Sequence, residues 1–283
     1  MNTGSPAAAA PSMNAASTNS APINAATPYL NALPNPSATL RLFCFHHAGG
    51  GASIFADWQS ALGPKIAVLP VQLPGRERRI RDPRITDMAA LAAELDGHLS
   101  PHMDAPYVLY GHSMGGLVAW NLTRRLAEHG RRLPEALLIG AANPPHLPPV
   151  SATLRGLSRD RLIQWLLDTG GMSPMVLKYP DWVEAAASLV RDDFDLCNSH
   201  RHADQRAVQP LPVPIHGFAG RSDTVVGAET VRGWLEHSEW PGTLYTVPGG
   251  HLFIRESADR FLHLLGGLLA RIGHEASQDG SRP

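Results

Sequence analysis

The stretch Tyr107-Val-Leu-Tyr-Gly-His-Ser113-Met-Gly-Gly-Leu-Val-Ala-Trp120 decides the fold of this 283-residue chain. It contains the pattern Gly-x-Ser-x-Gly, with a short apolar run before the serine and a helical pattern after it. A serine in so tight a strand-to-helix turn has strained backbone dihedrals, and glycine at 111 and 115 avoids side-chain clashes there. The turn would raise the Ser113 hydroxyl above the edge of a sheet, at the positive end of the following helix. Ser113 is therefore a candidate nucleophile.

Two positions downstream have the chemistry that a serine nucleophile requires. A histidine must accept the proton of the hydroxyl, and an acid must orient that histidine. Both partners are expected in the order acid, then histidine, each just after a late strand. Asp223 ends the run Pro214-Ile-His-Gly-Phe-Ala-Gly-Arg-Ser-Asp, and His251 ends the run Leu244-Tyr-Thr-Val-Pro-Gly-Gly-His. The sequence thus predicts a catalytic triad of Ser113, Asp223 and His251.

A glycine-rich loop follows the first apolar run, with the sequence Phe45-His-His-Ala-Gly-Gly-Gly. An oxyanion hole needs two backbone N–H groups aimed at the developing negative charge. We expect one from Met114, which follows the serine, and the other from Ala48 in this loop. A phosphate-binding loop is the rival interpretation, but no lysine or Ser/Thr follows at the required spacing.

The other titratable residues are weaker candidates. His112 adjoins the nucleophile, and we interpret it as a packing residue rather than the base. Five further histidines are expected on the surface: His98, His102, His129, His200 and His202. Three acidic residues are expected on a solvated helix face: Asp192, Asp193 and Asp195.

Short apolar runs alternate with amphipathic helical patterns from Leu40 onward. The runs predict buried strands at residues 40–45, 66–71, 107–110, 136–141, 213–219 and 243–247. Helices are predicted at 86–99, with Thr86 or Asp87 as cap, and at 116–129. This alternation, with the serine turn, indicates the α/β-hydrolase fold: a mainly parallel central sheet with helices on both faces.

Residues 144–209 contain helical patterns and no convincing strand. An all-helical insertion of this kind in a sheet-based enzyme commonly covers the active-site edge, so we expect it to form a lid. Gly170-Gly171 and the prolines Pro174 and Pro180 provide possible hinges and breaks.

Composition limits the remaining possibilities. A net charge of −1 provides no field for nucleic acid or an anionic membrane, and no apolar stretch reaches the roughly 20 residues of a membrane helix. Only two cysteines are present, which suits a protein of the cytoplasm. We also expect a monomer.

Residues 1–39 lack Asp, Glu, Lys and Arg and predict a disordered tail. Residues 40–271 form the expected catalytic domain, and 272–283 a frayed end.

Five blocks together resemble the type II thioesterases of nonribosomal peptide and polyketide pathways. They are Phe45-His-His-Ala-Gly-Gly-Gly-Ala-Ser with Trp58, Gln72-Leu-Pro-Gly-Arg-Glu, Gly111-His-Ser-Met-Gly-Gly, Gly220-Arg-Ser-Asp and Gly249-Gly-His. The resemblance covers roughly Leu40 to Leu269 and departs at His46, where the family usually has proline.

The resemblance implies hydrolysis of acyl groups from the phosphopantetheine arm of carrier domains, through an acyl-serine and without metal or cofactor. It implies Ser113 as nucleophile, His251 as general base and acid, and Asp223 as orienting acid. The amides of Met114 and Ala48 would form the oxyanion hole, beneath a mobile lid. The basic segment from Arg76 to Arg81 would meet an acidic carrier domain or the phosphate of the arm, or else be a solvated, self-paired loop.

Three other functions remain open at this point. A terminal thioesterase that cyclises its product would share the fold, as would a general esterase or lipase acting on small esters. The Leu-Pro-Gly-Arg block and the length of the lid favour the type II thioesterase. A scaffold that only binds carrier domains is disfavoured by the intact triad.

Overall fold

The computed structural model describes residue 1, residues 27–200 and residues 209–278. This part of the chain contains six strands: β1 (Leu40–Phe45), β2 (Ile66–Pro70), β3 (Tyr107–His112), β4 (Ala136–Gly140), β5 (Ile215–Gly220) and β6 (Leu244–Val247). They form one sheet in the order β2-β1-β3-β4-β5-β6, and every neighbouring pair is parallel. The predicted parallel α/β architecture is therefore present, with strand ends within two residues of those expected.

The central strands are buried on both faces, which explains their unbroken apolar runs. Every residue of β3 and β4 is buried. Alternate residues of β1 enter different cores: Phe43 and Phe45 pack on one side of the sheet, and Leu42 and Cys44 on the other. β3 continues beyond its predicted end because Gly111 and His112 still pair with β4.

Helices cover both faces of the sheet. Within the described residues they are α1 (Trp58–Leu62), α2 (Met88–Leu99), α3 (Met114–Glu128), α4 (Val150–Leu154), α5 (Arg159–Asp168), α6 (Pro180–Ser199), α7 (Ala228–Arg232), α8 (Phe253–Glu256) and α9 (Ala258–Gln278). α2 and α3 pack on one face through Leu95 and Leu122, whereas α1 and α9 pack on the other through Trp58 and Phe261. The predicted cap of α2 is present, since the Asp87 carboxylate accepts a hydrogen bond from the Ala90 amide.

The described part of the insertion between β4 and β5 consists of helices and the turns and loops that join them, and we call it the lid. It comprises α4, α5, a 3-10 helix at Pro174–Lys178, and α6. Leu166 of α5 and Val190 of α6 belong to a small core of the lid itself, whereas Leu196 and Cys197 of α6 pack into the main core. Helix α6 therefore joins the lid to the rest of the domain. Residues 201–208, which include His202, lie outside the described residues.

Both tail boundaries differ from those expected. Tyr29 is fully buried, and Leu30 forms an antiparallel bridge with Val71. The folded part thus begins before residue 39, because an aromatic and a leucine follow the Ala- and Asn-rich segment and can be buried. At the other end α9 continues to Gln278 with Ile272 buried, so residues 272–278 belong to the helix rather than to a frayed end. Residues 2–26 and 279–283, the rest of these two predicted tails, lie outside the described part.

Among the described residues, no helix combines the length and the apolar character needed to cross a membrane.

Candidate active site

Ser113 lies in the sharp turn between β3 and α3, in a backbone conformation unusual for serine (φ 54°, ψ −116°). The two flanking glycines make this turn possible. A Cβ atom on Gly111 would lie 2.1 Å from the carbonyl oxygen of Gly115, and one on Gly115 would lie 2.1 Å from the carbonyl oxygen of Phe45. The Ser113 amide donates to the Gly140 carbonyl at 2.7 Å, which ties the turn to β4.

The structure brings together the three residues predicted as a triad. His251 Nε2 lies 3.1 Å from Ser113 Oγ, and His251 Nδ1 lies 3.0 Å from Asp223 Oδ2. They meet because β3, β5 and β6 are parallel, so the residues that follow their carboxyl ends share one edge of the sheet. The side chain of Asp223 is shielded from solvent, and that of His251 is only 8% exposed.

Asp223 has a fixed orientation. Its Oδ1 accepts hydrogen bonds from the amides of Val225 and Val226, at 2.7 and 3.0 Å, which leaves Oδ2 directed at His251. Since a carboxylate oxygen only accepts, Nδ1 of a neutral His251 carries the proton and Nε2 presents a lone pair to the Ser113 hydroxyl. This arrangement can remove the hydroxyl proton as the oxygen attacks a carbonyl.

His112 supports the backbone of His251. Its Nε2 donates to the His251 carbonyl at 2.8 Å, and its Nδ1 accepts from the Tyr110 hydroxyl at 3.0 Å. Burial lowers the pKa of His112 well below its usual value, with a further contribution from the His251 charge. A neutral ring with one donor and one acceptor matches both partners. His112 thus occupies the packing place expected from the sequence.

One amide of the loop after β1, that of Ala48, has the position of a candidate oxyanion donor. The His47 carbonyl accepts from the His46 ring at 2.8 Å and from the Gly50 amide at 3.0 Å. Because N–H and C=O point in opposite directions across a peptide unit, the Ala48 amide faces away from these donors. Ala48 lines the same cavity as Ser113 and Met114. Within the described residues, neither the Ala48 nor the Met114 amide has a hydrogen-bond acceptor, which is the state required of oxyanion donors.

The cavity that opens at Ser113 is mainly apolar. It is narrow, with a volume of about 50 Å³, and it opens to solvent at its mouth. Its lid side is formed by Trp165, Leu166, Val190 and Phe194, with Cys197 at the join to the main core. Such a lining can shelter a hydrocarbon chain.

An ion pair between Arg76 and Asp193 is the feature that the sequence interpretation missed. Arg76 was expected in a solvated or partner-binding loop and Asp193 on a solvated helix face, yet they are only 5% and 2% exposed. The guanidinium of Arg76 makes two hydrogen bonds with the carboxylate, at 2.7 and 2.8 Å. Asp193 lies at helical spacing from Val190 and Cys197, on the buried face of α6, and this spacing was the available signal.

The surface expectation for the five other histidines holds only in part. His102 and His200 are buried, with 2% and 8% exposure: His102 lies in a 3-10 turn directly after α2, and His200 lies beside Asn121 of α3. His129 is exposed next to Asp96, and His98 packs on Tyr29. The structure brings none of these four to the Ser113 hydroxyl. Among the described residues, no group of three or more His, Cys, Asp or Glu side chains could hold a metal ion.

Comparison with known proteins agrees with this geometry. The model of the thioesterase domain family matches residues 40–270. The gramicidin S biosynthesis protein GrsT of Aneurinibacillus migulanus is 30% identical over 81% of this chain and 88% of its own length.

Two solved structures are also similar. The RedJ thioesterase from the prodiginine biosynthetic pathway of Streptomyces coelicolor is 31% identical, with a TM-score of 0.76 over 86% of this chain and 95% of its own. The type II thioesterase BorB from the borrelidin biosynthetic cluster is 31% identical, with a TM-score of 0.73 over 87% and 97%. With its parallel sheet and serine turn, this chain belongs to the thioesterase family of α/β-hydrolases.

Proposed function

We propose that the protein is a type II thioesterase that hydrolyses acyl groups from the phosphopantetheine arm of carrier domains, and so clears a nonribosomal peptide or polyketide assembly line. One observation carries this proposal: Ser113, His251 and Asp223 form a continuous hydrogen-bond chain at the mouth of an apolar cavity beside two unpaired amides. The similarity to GrsT, a gramicidin S biosynthesis protein, and to BorB, a type II thioesterase from the borrelidin biosynthetic cluster, supports the choice of substrate.

The geometry accounts for both halves of the reaction. Ser113 Oγ attacks the thioester carbonyl while His251 Nε2 accepts its proton. The amides of Ala48 and Met114 stabilise the oxyanion, and Asp223 stabilises the imidazolium. The tetrahedral intermediate collapses with cleavage of the C–S bond, and His251 returns the proton to the departing thiol. Water activated by the same histidine then attacks the acyl-serine, which releases the acid and restores Ser113.

The carrier domain is proposed as the partner because the acyl group must be presented on an arm long enough to reach Ser113 under the lid. The apolar lining formed by Trp165, Leu166, Val190 and Phe194 would hold the acyl chain.

We also propose that the protein works as a monomer in the cytoplasm. The two buried free thiols, Cys44 and Cys197, suit a reducing compartment. Light scattering at working concentration tests the monomer, and a mass of two chains would contradict it.

The substrate proposal is tested by comparing three acyl donors in separate assays. Purified protein is given an acetyl-loaded carrier domain, acetyl-CoA and a nitrophenyl acetate in parallel, and kcat/KM is measured for each. We expect the carrier-bound acetyl group to be hydrolysed with the highest kcat/KM. Faster turnover of the nitrophenyl ester would favour a general esterase. A cyclic or transferred product instead of free acid, measured with a longer carrier-bound chain, would favour a terminal thioesterase.

A further inference from the structure

The Arg76–Asp193 pair joins three segments that are far apart in the sequence. Arg76 follows β2, and Asp193 lies on lid helix α6. Asp193 Oδ2 also accepts from the Gly49 amide at 2.7 Å, and Arg76 also donates to the Gly50 carbonyl at 3.3 Å. The pair therefore fastens the lid to the loop that carries the Ala48 amide.

The contact with Gly49 fixes the peptide unit next to the oxyanion donor. The Ala48 carbonyl and the Gly49 amide belong to the same peptide plane. His47 Nδ1 donates to that carbonyl at 2.8 Å, and Asp193 accepts from that amide at 2.7 Å. With this plane held at both ends and the preceding plane held by His46 and Gly50, rotation about Ala48 is restricted. Of these two peptide planes, only the one between Ala48 and Gly49 is held by a residue of the lid, Asp193.

A net gain in stability is a poor explanation for this pair. Removing two charges from water costs about as much as their attraction returns, so a buried ion pair contributes little compared with an apolar pair. A neighbouring pair, Arg84–Asp192, also joins α6 to the segment after β2, but its side chains are 24% and 37% exposed. Its hydrogen bonds reach Ser188 and Asp192 and not the Ala48 loop. Arg84–Asp192 thus attaches α6 without contacting the Ala48 loop, whereas Arg76–Asp193 both attaches α6 and contacts that loop.

We propose that Arg76 and Asp193 are positioning residues through which lid helix α6 orients the Ala48 amide for the oxyanion. The proposal rests on the proposed role of Ser113 and Ala48, and it does not depend on which acyl donor is preferred. When α6 packs as in this structure, Asp193 accepts from the Gly49 amide and the oxyanion hole is complete. When α6 moves away, the Gly49 amide loses its acceptor, and the Ala48 amide is then held only through its own peptide plane, by His46 and Gly50.

Two double variants test the proposal because both lack the ion pair but differ at the Gly49 acceptor. In Arg76→Met/Asp193→Asn the side-chain oxygen of residue 193 can still accept from Gly49. In Arg76→Met/Asp193→Leu it cannot. With a nitrophenyl ester, we expect the leucine variant to lose about 10- to 100-fold in kcat at nearly unchanged KM, less than the 10²- to 10³-fold cost of a missing oxyanion donor. The asparagine variant should recover most of that loss.

Further measurements distinguish positioning from a structural role. A boronic acid that forms a tetrahedral adduct with Ser113 should bind more weakly to the leucine variant by a factor similar to its loss in kcat. Asp192→Asn, the control on the neighbouring pair, should keep wild-type kcat. Equal kcat for the two double variants, or an equal loss in Asp192→Asn, would overturn the proposal. If the leucine variant does not fold, Arg76→Met/Asp193→Ala gives the same comparison. Hydrolysis of the ester by the wild-type protein, abolished in Ser113→Ala, verifies the underlying function separately.

Discussion

Replacing Asp223 by asparagine should preserve the fold and remove nearly all catalysis. Oδ1 of Asp223 accepts from two amides, those of Val225 and Val226, whereas Oδ2 faces His251 Nδ1. The asparagine oxygen must take the place of Oδ1, because an NH2 group there would face two donors. Each of the retained hydrogen bonds is worth about 1 kcal/mol, so this orientation is strongly preferred. The asparagine NH2 is then directed at His251.

The consequence is a histidine in the wrong tautomer. With an NH2 donor opposite, Nδ1 of His251 must accept, so the ring proton moves to Nε2, which lies 3.1 Å from Ser113 Oγ. A protonated Nε2 cannot take the hydroxyl proton. We expect kcat to fall about 10⁴-fold, the cost of the wrong tautomer in a serine triad. This corresponds to about 5.5 kcal/mol in the activation barrier. KM should change little, since the cavity is untouched.

The assay is steady-state hydrolysis of a nitrophenyl ester, with thermal unfolding measured on the same preparation. Asp259→Asn is the matched control, because Asp259 is exposed in the first turn of α9. It should retain full activity. If Asp223→Asn kept its kcat within tenfold of the wild type, the carboxylate would not be what orients His251, and the deduction from the two amides would be refuted.

Three further predictions concern the scaffold. Gly111→Ala should prevent folding or sharply lower the Tm, because its Cβ would lie 2.1 Å from the Gly115 carbonyl oxygen; a Tm near wild type would show that the turn can adapt. Tyr29→Ala should lower the free energy of unfolding in urea by about 3 kcal/mol, because Tyr29 is fully buried. Leu33→Ala, at a position that is 47% exposed, is the control and should have no such effect. Equal effects would mean that the burial of Tyr29 does not stabilise the fold. Burial lowers the pKa of His47 to about 4 from 6.5, so the unfolded chain binds this proton first as the pH falls. The contribution of His47 to the free energy of unfolding is therefore fully present above about pH 6.5 and falls by up to about 3 kcal/mol toward pH 4. Urea unfolding between pH 7.5 and 4 should show a weaker dependence of this free energy on pH for His47→Asn. An unchanged dependence would contradict the lowered pKa.

The geometry of the candidate site was predictable where local pattern and chain order determine it. Ser113 is marked by the two glycines of its turn, and the clash distances show why no other residue fits there. Asp223 and His251 could be found because parallel strands bring the residues after their carboxyl ends to one edge. The strands themselves were visible because burial on both faces requires continuous apolar runs.

Features that depend on distant partners were not predictable in the same way. Arg76 and Asp193 are 117 positions apart, and each alone has the character of a surface residue. Only the periodicity of α6 places Asp193 among buried residues, and periodicity does not name its partner. Tyr29 was missed for a similar reason: it is buried against residues such as His98 and Arg79, while its own neighbours in sequence are of low complexity.

The most direct test of the account is to identify the acylated residue during turnover. The wild-type protein is mixed with a carrier domain bearing an isotopically labelled acetyl group, quenched on the turnover timescale and analysed by peptide mass spectrometry. We predict label on the peptide that contains Ser113, with release of labelled free acid, and neither in Ser113→Ala. Release of acid with no label on Ser113, or undiminished release by Ser113→Ala, would contradict the account.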